Sequence, residues 1–183
     1  SDDPVRTMVV TDEGRLPFQE YRVARRAAPG VVAVEHDGLD EALPAPAVLP
    51  AVQEADLVIL APSSPVASLG PILALRGVRA ALAAATVVAV TPVVSGRAPA
   101  TPAERSRAHV RAAFMAAAGL DHSATAVAGL YAGFLDGFVL DERDAAEAGA
   151  VRALGVDVVP ADTLARGPGR VALAETVLAF AAR

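Results

Sequence analysis

Asp56-Leu57-Val58-Ile59-Leu60-Ala61 is a continuous apolar run behind a single aspartate, and it stops at the turn Pro62-Ser63-Ser64-Pro65. A short run with no polar alternation is the pattern of a strand buried on both faces, as in parallel sheets covered by helices. The pattern recurs three times. Thr86-Val87-Val88-Ala89-Val90 ends in Thr91-Pro92, Gly137-Phe138-Val139-Leu140 ends in Asp141, and Val156-Asp157-Val158-Val159 runs on to Asp162-Thr163-Leu164. Between and after these runs the sequence predicts helices over 71–85, 102–118, 144–154 and 171–182. Strands joined through helices of that length need right-handed crossovers, which make the strands parallel. The expected fold class is α/β: a doubly wound, mostly parallel Rossmann-like sheet with helices on both faces.

Upstream the rhythm is different. Thr7 to Thr11, a turn at Asp12-Glu13-Gly14, Leu16 to Val23 and Val31 to Val34 read as an N-terminal β-hairpin or small meander. A short helix is expected over 46–55, entered through proline. The expectation is one α/β domain over 1–183, with a β-rich segment at 1–45 and alternating βα units at 46–183. No internal repeat or linker divides it.

Composition limits the chemistry. The 183 residues are 54% hydrophobic and 20% charged, enough apolar surface to exclude intrinsic disorder. Cysteine is absent, which excludes disulfides, thiolate metal sites and cysteine nucleophiles and fits a reducing cytoplasm. A net charge of -5 argues against a sequence-blind grip on nucleic acid. The three histidines, His36, His109 and His122, lack the spacing of a metal site. The uncharged stretch 57–75 holds three prolines and Gly70, so no membrane span is expected, and the first residues show neither signal peptide nor lipidation motif. The expectation is a cytoplasmic protein with no membrane and no nucleic-acid partner.

In an open parallel sheet, ligands bind beyond the carboxyl ends of the strands. The residues that follow each strand are therefore the candidates. Ser63, Ser64, Ser68 and Gly70 follow the first strand, and Thr91, Gly96 and Arg97 follow the second. Asp141 follows the third, and Asp162 and Thr163 the fourth. Small hydroxyl residues and glycine let main-chain amides approach phosphate, and carboxylates hold magnesium, so the set points to a phosphate or nucleotide site. Structural readings stand beside this one. Ser63 and Ser64 serve equally as turn formers, Ser68 and Gly70 as the start of a helix, Asp141 and Asp162 as helix N-caps, and Arg97 as a solvated loop arginine. No G-x-S-x-G, Walker or G-x-G-x-x-G motif is present.

Taken in order, several motifs resemble one family. They are Asp2-Asp3-Pro4-Val5-Arg6-Thr7, Leu16-Pro17-Phe18-Gln19-Glu20-Tyr21, Ala61-Pro62-Ser63-Ser64-Pro65 with Ser68-Leu69-Gly70-Pro71-Ile72-Leu73, Val90-Thr91-Pro92-Val93-Val94, Phe138-Val139-Leu140-Asp141 and Ala161-Asp162-Thr163-Leu164. Together they resemble the 2-phospho-L-lactate transferase family of coenzyme F-420 biosynthesis. The resemblance implies transfer of a phospholactyl or phosphoenolpyruvyl group from a guanosine diphosphate-linked donor to the deazaflavin Fo, with release of GMP and help from Mg2+. It also implies that the loop from Ser63 to Gly70 cradles phosphate, with Thr91, Gly96 and Arg97 nearby.

The departures are specific. The family usually carries asparagine at the position of Ser64, a Gly-Gly pair where this chain has Ser95-Gly96, and a later Lys-Gly where it has Ala100-Thr101. Family chains are also longer and begin with a glycine-rich β-turn-α unit. The expectation is a portion of a longer family chain, acting as a homodimer or in assembly with an N-terminal half. The alternative is a non-catalytic nucleotide-sensing regulator of the related gluconeogenesis-factor type. A third possibility is a scaffold that dimerises through alanine-rich helices.

Overall fold

The computed structural model describes residues 1–182. In chain order the elements are β1 (Arg6–Thr11), β2 (Gly14–Pro17), a π-helical turn (Glu20–Ala24), β3 (Val31–Asp37), α1 (Val48–Glu54) and β4 (Val58–Leu60). A second π-helical turn (Pro65–Leu69) leads into α2 (Gly70–Ala74), followed by α3 (Val78–Leu82), β5 (Val87–Val90), α4 (Pro102–Ala117) and α5 (Ala124–Tyr131). The chain ends with β6 (Gly137–Asp141), a 3-10 turn (Glu142–Glu147), α6 (Ala148–Arg152), β7 (Asp157–Ala161) and α7 (Gly169–Ala181). It divides into two compact units, one made of Ser1–Pro46, Ser64–Val78 and Ala98–His122, the other of Ala47–Ser63, Arg79–Arg97 and the chain from Ser123 onward.

The first unit is built on an antiparallel sheet of order β2-β1-β3. Gly14 closes the hairpin at φ 127°, a conformation that only glycine adopts freely, and the Thr11 hydroxyl donates to the Gly14 carbonyl at 2.7 Å. Alternation along β1 turns Val9 inward, where it joins Tyr21, Ala27, Val110 and Phe114 in one buried cluster. The last two come from α4, which packs on β3. Thr101 caps α4 by accepting from the Glu104 amide, Pro102 occupies the first turn, and Glu104 reaches back to accept from the Ala100 amide.

The strand expected over Leu16 to Val23 ends at Pro17. Proline has no N–H to extend the ladder, and the π-helical turn that follows buries Tyr21 with its ring 5.9 Å from that of Phe114. Arg26 and Ala27 then reverse the chain in left-handed conformations, φ 53° and 56°, and the Ala27 amide donates to the Tyr21 carbonyl. Backbone of this kind costs about 1–2 kcal/mol per non-glycine residue, and burial of Ala27 in the cluster offsets it.

The second unit holds the four apolar runs. They form one parallel sheet of order β4-β5-β6-β7, with registers such as Leu60 beside Ala89, Ala89 beside Phe138 and Phe138 beside Val158. Every residue of β5 and β6 is buried, as continuous apolar runs require. α7 contacts β5, β6 and β7, and Val177 joins Val88, Val90 and Val139 in a buried cluster with Leu173 and Phe180 packed against it. Gly137 permits this packing, because a Cβ there would lie 2.5 Å from the Phe180 ring.

Two expected helices are interrupted. The helix over 71–85 is divided between Ala74 and Val78, where Leu75 turns extended and Gly77 adopts φ 83°, and the one over 144–154 begins as a 3-10 turn. α5 lies in a stretch to which the sequence reading assigned no element. The Ser123 hydroxyl caps it by accepting from the Ala126 amide.

Candidate functional site

Because the four strands run parallel, the residues after β4, β5, β6 and β7 all leave the same edge of the sheet. The turn after β6 organises this edge of the second unit. Asp141, fully buried, accepts from the Arg143 amide at 3.0 Å and from the Arg143 guanidinium at 2.8 Å. It also accepts from the Thr163 amide at 3.0 Å and hydroxyl at 2.7 Å. Arg143 extends the network to Asp162 at 2.9 Å, and Asp162 accepts from the Leu164 amide. Asp141, Asp162 and Thr163 are thus brought together, with Arg143 as the link.

The electrostatics follow from this geometry. Burial opposes ionisation of Asp141, but the hydrogen bonds from Thr163 and Arg143 and the charge of the guanidinium outweigh it and hold the carboxyl below its ordinary value. The hydrogen bonds to Asp141 and Asp162 raise the Arg143 pKa in turn. A carboxylate offers about four lone-pair sites, and those of Asp141 are taken up within the chain. Among the described residues no group of three or more His, Asp or Glu is arranged to hold a metal ion.

A second buried carboxylate, Asp144, accepts from the Ser95 amide at 2.8 Å and the Gly96 amide at 2.6 Å. It pins the loop after β5 to the turn after β6. The approach is so close that a Cβ on Gly96 would stand 2.3 Å from the Arg143 carbonyl oxygen. The Gly96 amide, which the sequence suggested for phosphate, is therefore engaged by a carboxylate. Arg97 follows it, half-buried. Buried Thr91 closes its own turn, donating to the Val93 carbonyl and accepting from the Val93 amide.

Past β4, Ser63 is the last residue of the second unit, and the chain passes to the first unit at Ser64. There the Ser64 hydroxyl accepts from the Ala67 amide at 3.1 Å, with Pro65 at the first position of the π-helical turn. Ser68 donates its amide to the Ser64 carbonyl. Gly70 sits where a Cβ would come within 3.1 Å of the Pro65 carbonyl oxygen. Ser64 thus caps the π-helical turn, Ser68 lies within it and Gly70 opens α2. π-Helical turns inside helices are found frequently at functional sites.

The sequence reading singled out neither Asp144 nor Arg143. Their spacing from Asp141 in Asp141-Glu142-Arg143-Asp144 is the available signal, since consecutive polar residues at a strand's carboxyl end can each turn toward a different neighbouring loop.

Comparison with known proteins adds a second line of evidence. The family model of 2-phospho-L-lactate transferase CofD matches residues 1–170. A 2-phospho-L-lactate transferase from Methanococcoides burtonii is 40% identical over 164 residues, covering 90% of this chain and 51% of the relative. A phosphoenolpyruvate transferase from Thermobifida fusca is 44% identical over 153 residues, covering 79% of this chain and 44% of the relative. The chain spans about half the length of the curated relatives it matches. Among solved structures, a Bacillus halodurans protein of the upf0052 family aligns with a TM-score of 0.57 at 16% identity, covering 97% of this chain and 59% of that one. At that identity the likeness concerns the fold.

Proposed function

This chain belongs to the 2-phospho-L-lactate transferase family, and from that premise we propose that it forms part of a cytoplasmic transferase. The enzyme moves a phospholactyl or phosphoenolpyruvyl group from a guanosine diphosphate-linked donor to the deazaflavin Fo. The observation that supports the transferase part of this reading is identity near 40% over 164 residues to relatives named 2-phospho-L-lactate transferase, while the donor and acceptor belong to the proposal. The single parallel sheet edge, where anionic ligands of α/β proteins bind, supports it.

In the proposed reaction the terminal hydroxyl oxygen of the acceptor bonds to phosphorus, the bond from that phosphorus to the GMP oxygen breaks, and the hydroxyl proton is released. Catalysis of such a step rests on positioning and on stabilising charge at the phosphate oxygens. Proposed phosphate contacts are Ser63 and Arg97 on the second unit and, taken separately, the turn of Ser64, Ser68 and Gly70 on the first, while Thr91, buried with its hydroxyl closing its own turn, shapes the loop after β5. Asp144 fixes the main chain at Ser95 and Gly96, so the loop after β5 meets the diphosphate with side chains in preference to those two amides. Arg143, held by Asp141 and Asp162, orders the loop after β7.

Magnesium belongs to the proposal as the ion that accompanies a diphosphate. Asp141 is saturated and Asp144 holds two amides, so neither of these buried carboxylates fits it as it stands, and no step is derived through the ion. The proposed assembly is a homodimer, or a complex with a polypeptide equivalent to the half of the relatives that the chain does not match.

The test is turnover. The protein, alone and mixed with that equivalent polypeptide, is incubated with Fo, the guanosine-linked donor and magnesium, and GMP is followed by chromatography. Release of GMP with formation of the transferred product is expected in at least one arm. Binding of GDP with no release in either arm would overturn the transferase reading and favour the nucleotide-sensing alternative.

A further inference from the structure

The two edges of the parallel sheet are finished differently. At one edge the Asp157 amide of β7 donates to the Asp136 carbonyl, so alternation along the strand turns the main chain of residue 160 away from β6. Residue 160 is proline, which has no N–H to offer a further strand, and exposed Asp157 adds a charge. At the other edge the Val58 amide of β4 donates to the Thr86 carbonyl, which turns the main-chain N–H and C=O of Ile59 to the open side. Neither proline nor charge protects this strand, and its neighbours Leu57 and Ala61 are apolar too.

The Ile59 side chain is equally uncovered. The register sets it beside Val88, which packs with Val177 of α7, so Ile59 lies on the face that α7 covers over β5, β6 and β7. It is nevertheless 44% exposed, because that cover stops short of β4. The element leading into β4 lacks cover as well. α1 is a seven-residue helix joined to β4 through Ala55-Asp56-Leu57, and it buries none of its residues, although Val48, Leu49 and Val52 share one side of it. A helix this short has little stability of its own and depends on packing.

We propose that the open edge of β4 docks a β-strand of the polypeptide equivalent to the half of the relatives that this chain does not match. Those relatives have about as much chain again outside the matched part, ample for a further strand and for cover over Ile59 and α1. The incoming strand hydrogen-bonds the main chain of Ile59 and sets an apolar side chain against it, extending the order β4-β5-β6-β7 by one strand. The inference rests on the assembly part of the proposed function and is independent of the reaction.

The experiment co-expresses this chain with the unmatched portion of the Methanococcoides burtonii relative and, in a second arm, expresses the chain alone. Light scattering of the eluting species and hydrogen exchange of the Ile59 amide are read in both arms. A one-to-one complex is expected, in which that amide exchanges about tenfold or more slowly than in the chain alone. Ile59→Lys should weaken the complex about tenfold or more, because a charge replaces buried apolar surface, while Leu154→Lys, an exposed position after α6 toward the β7 edge, stays within about twofold. If Ile59→Lys fails to fold, exchange in the wild-type pair still decides. No complex with the wild-type chain, or a complex that leaves the Ile59 amide unprotected, overturns the proposal. Protection of Ile59 in the chain alone, at the mass of two copies, assigns the edge to a second copy and overturns it likewise. GMP release from a pair with Ile59 unprotected leaves the transferase reading standing without this docking, and a complex closed at β4 that releases no GMP does the reverse.

Discussion

Asp141 concentrates much of the physics of the second unit in one side chain. It is fully buried, charged, and engaged by two donors of Arg143 and two of Thr163. Its pKa is held below the ordinary 3.8, so its contribution to stability is complete above that value and is lost as pH falls through the folded-state pKa. Asp141→Asn should cost about 2–4 kcal/mol at neutral pH, because the guanidinium and the Thr163 donors lose a charged acceptor. The deficit relative to wild type should shrink below pH 3.8. Urea unfolding at pH 7 and at pH 3 measures both, and an equal deficit at the two values would refute the assignment. The sequence placed Asp141, Asp162 and Thr163 at strand ends, whereas the role of Arg143 as their link rests on a hydrogen bond to Asp162 nineteen residues on, which the local run of polar residues does not specify. Asp144 was hidden for a related reason: its partners, Ser95 and Gly96, lie 49 and 48 residues earlier, and pairing over that span depends on strand order.

Glycine at the first position of β6 couples a strand to a helix. Any Cβ at 137 meets the Phe180 ring of α7 at 2.5 Å and the Val88 side chain of β5 at 3.2 Å. Gly137→Ala should destabilise the protein by about 1–3 kcal/mol through overpacking. Phe180→Leu should recover part of that loss, so the two changes will not add. Strict additivity in thermal unfolding of the double variant would show that α7 does not press on Gly137.

This scale is also where the sequence spoke most clearly. Apolar runs at 56–61, 86–90, 137–141 and 156–159 announced β4 to β7, but burial on both faces holds only for the central β5 and β6; the edge strands β4 and β7 leave Ile59 and Asp157 exposed. Element ends and interruptions were less legible. The shift from strand to π-helical turn after Pro17 is set by burial of Tyr21 against a helix about ninety residues away, and α5 has no charged pattern to mark a face.

The molecule as a whole is interlaced. Its backbone passes between the two units after Pro46, Ser63, Val78, Arg97 and His122, so neither unit is a continuous piece of chain. The first unit's core depends on Val110 and Phe114 from α4, far from the sheet they cover. A peptide of residues 1–46 is therefore expected to lack a fixed structure, with poorly dispersed amide resonances, despite containing all three strands of the antiparallel sheet. A folded 1–46 peptide would mean that Val9 and Tyr21 find enough cover without α4.

The same interlacing bears on biosynthesis. As the nascent polypeptide leaves the ribosome, β1 to β3 emerge before α4 and have no partner for Val9 and Tyr21 until the helix bearing Phe114 follows them out. The other sheet waits longer still, for β7. During that interval unclosed β edges and apolar side chains are open to self-association, which makes chaperone protection and slow translation levers on the yield of active protein.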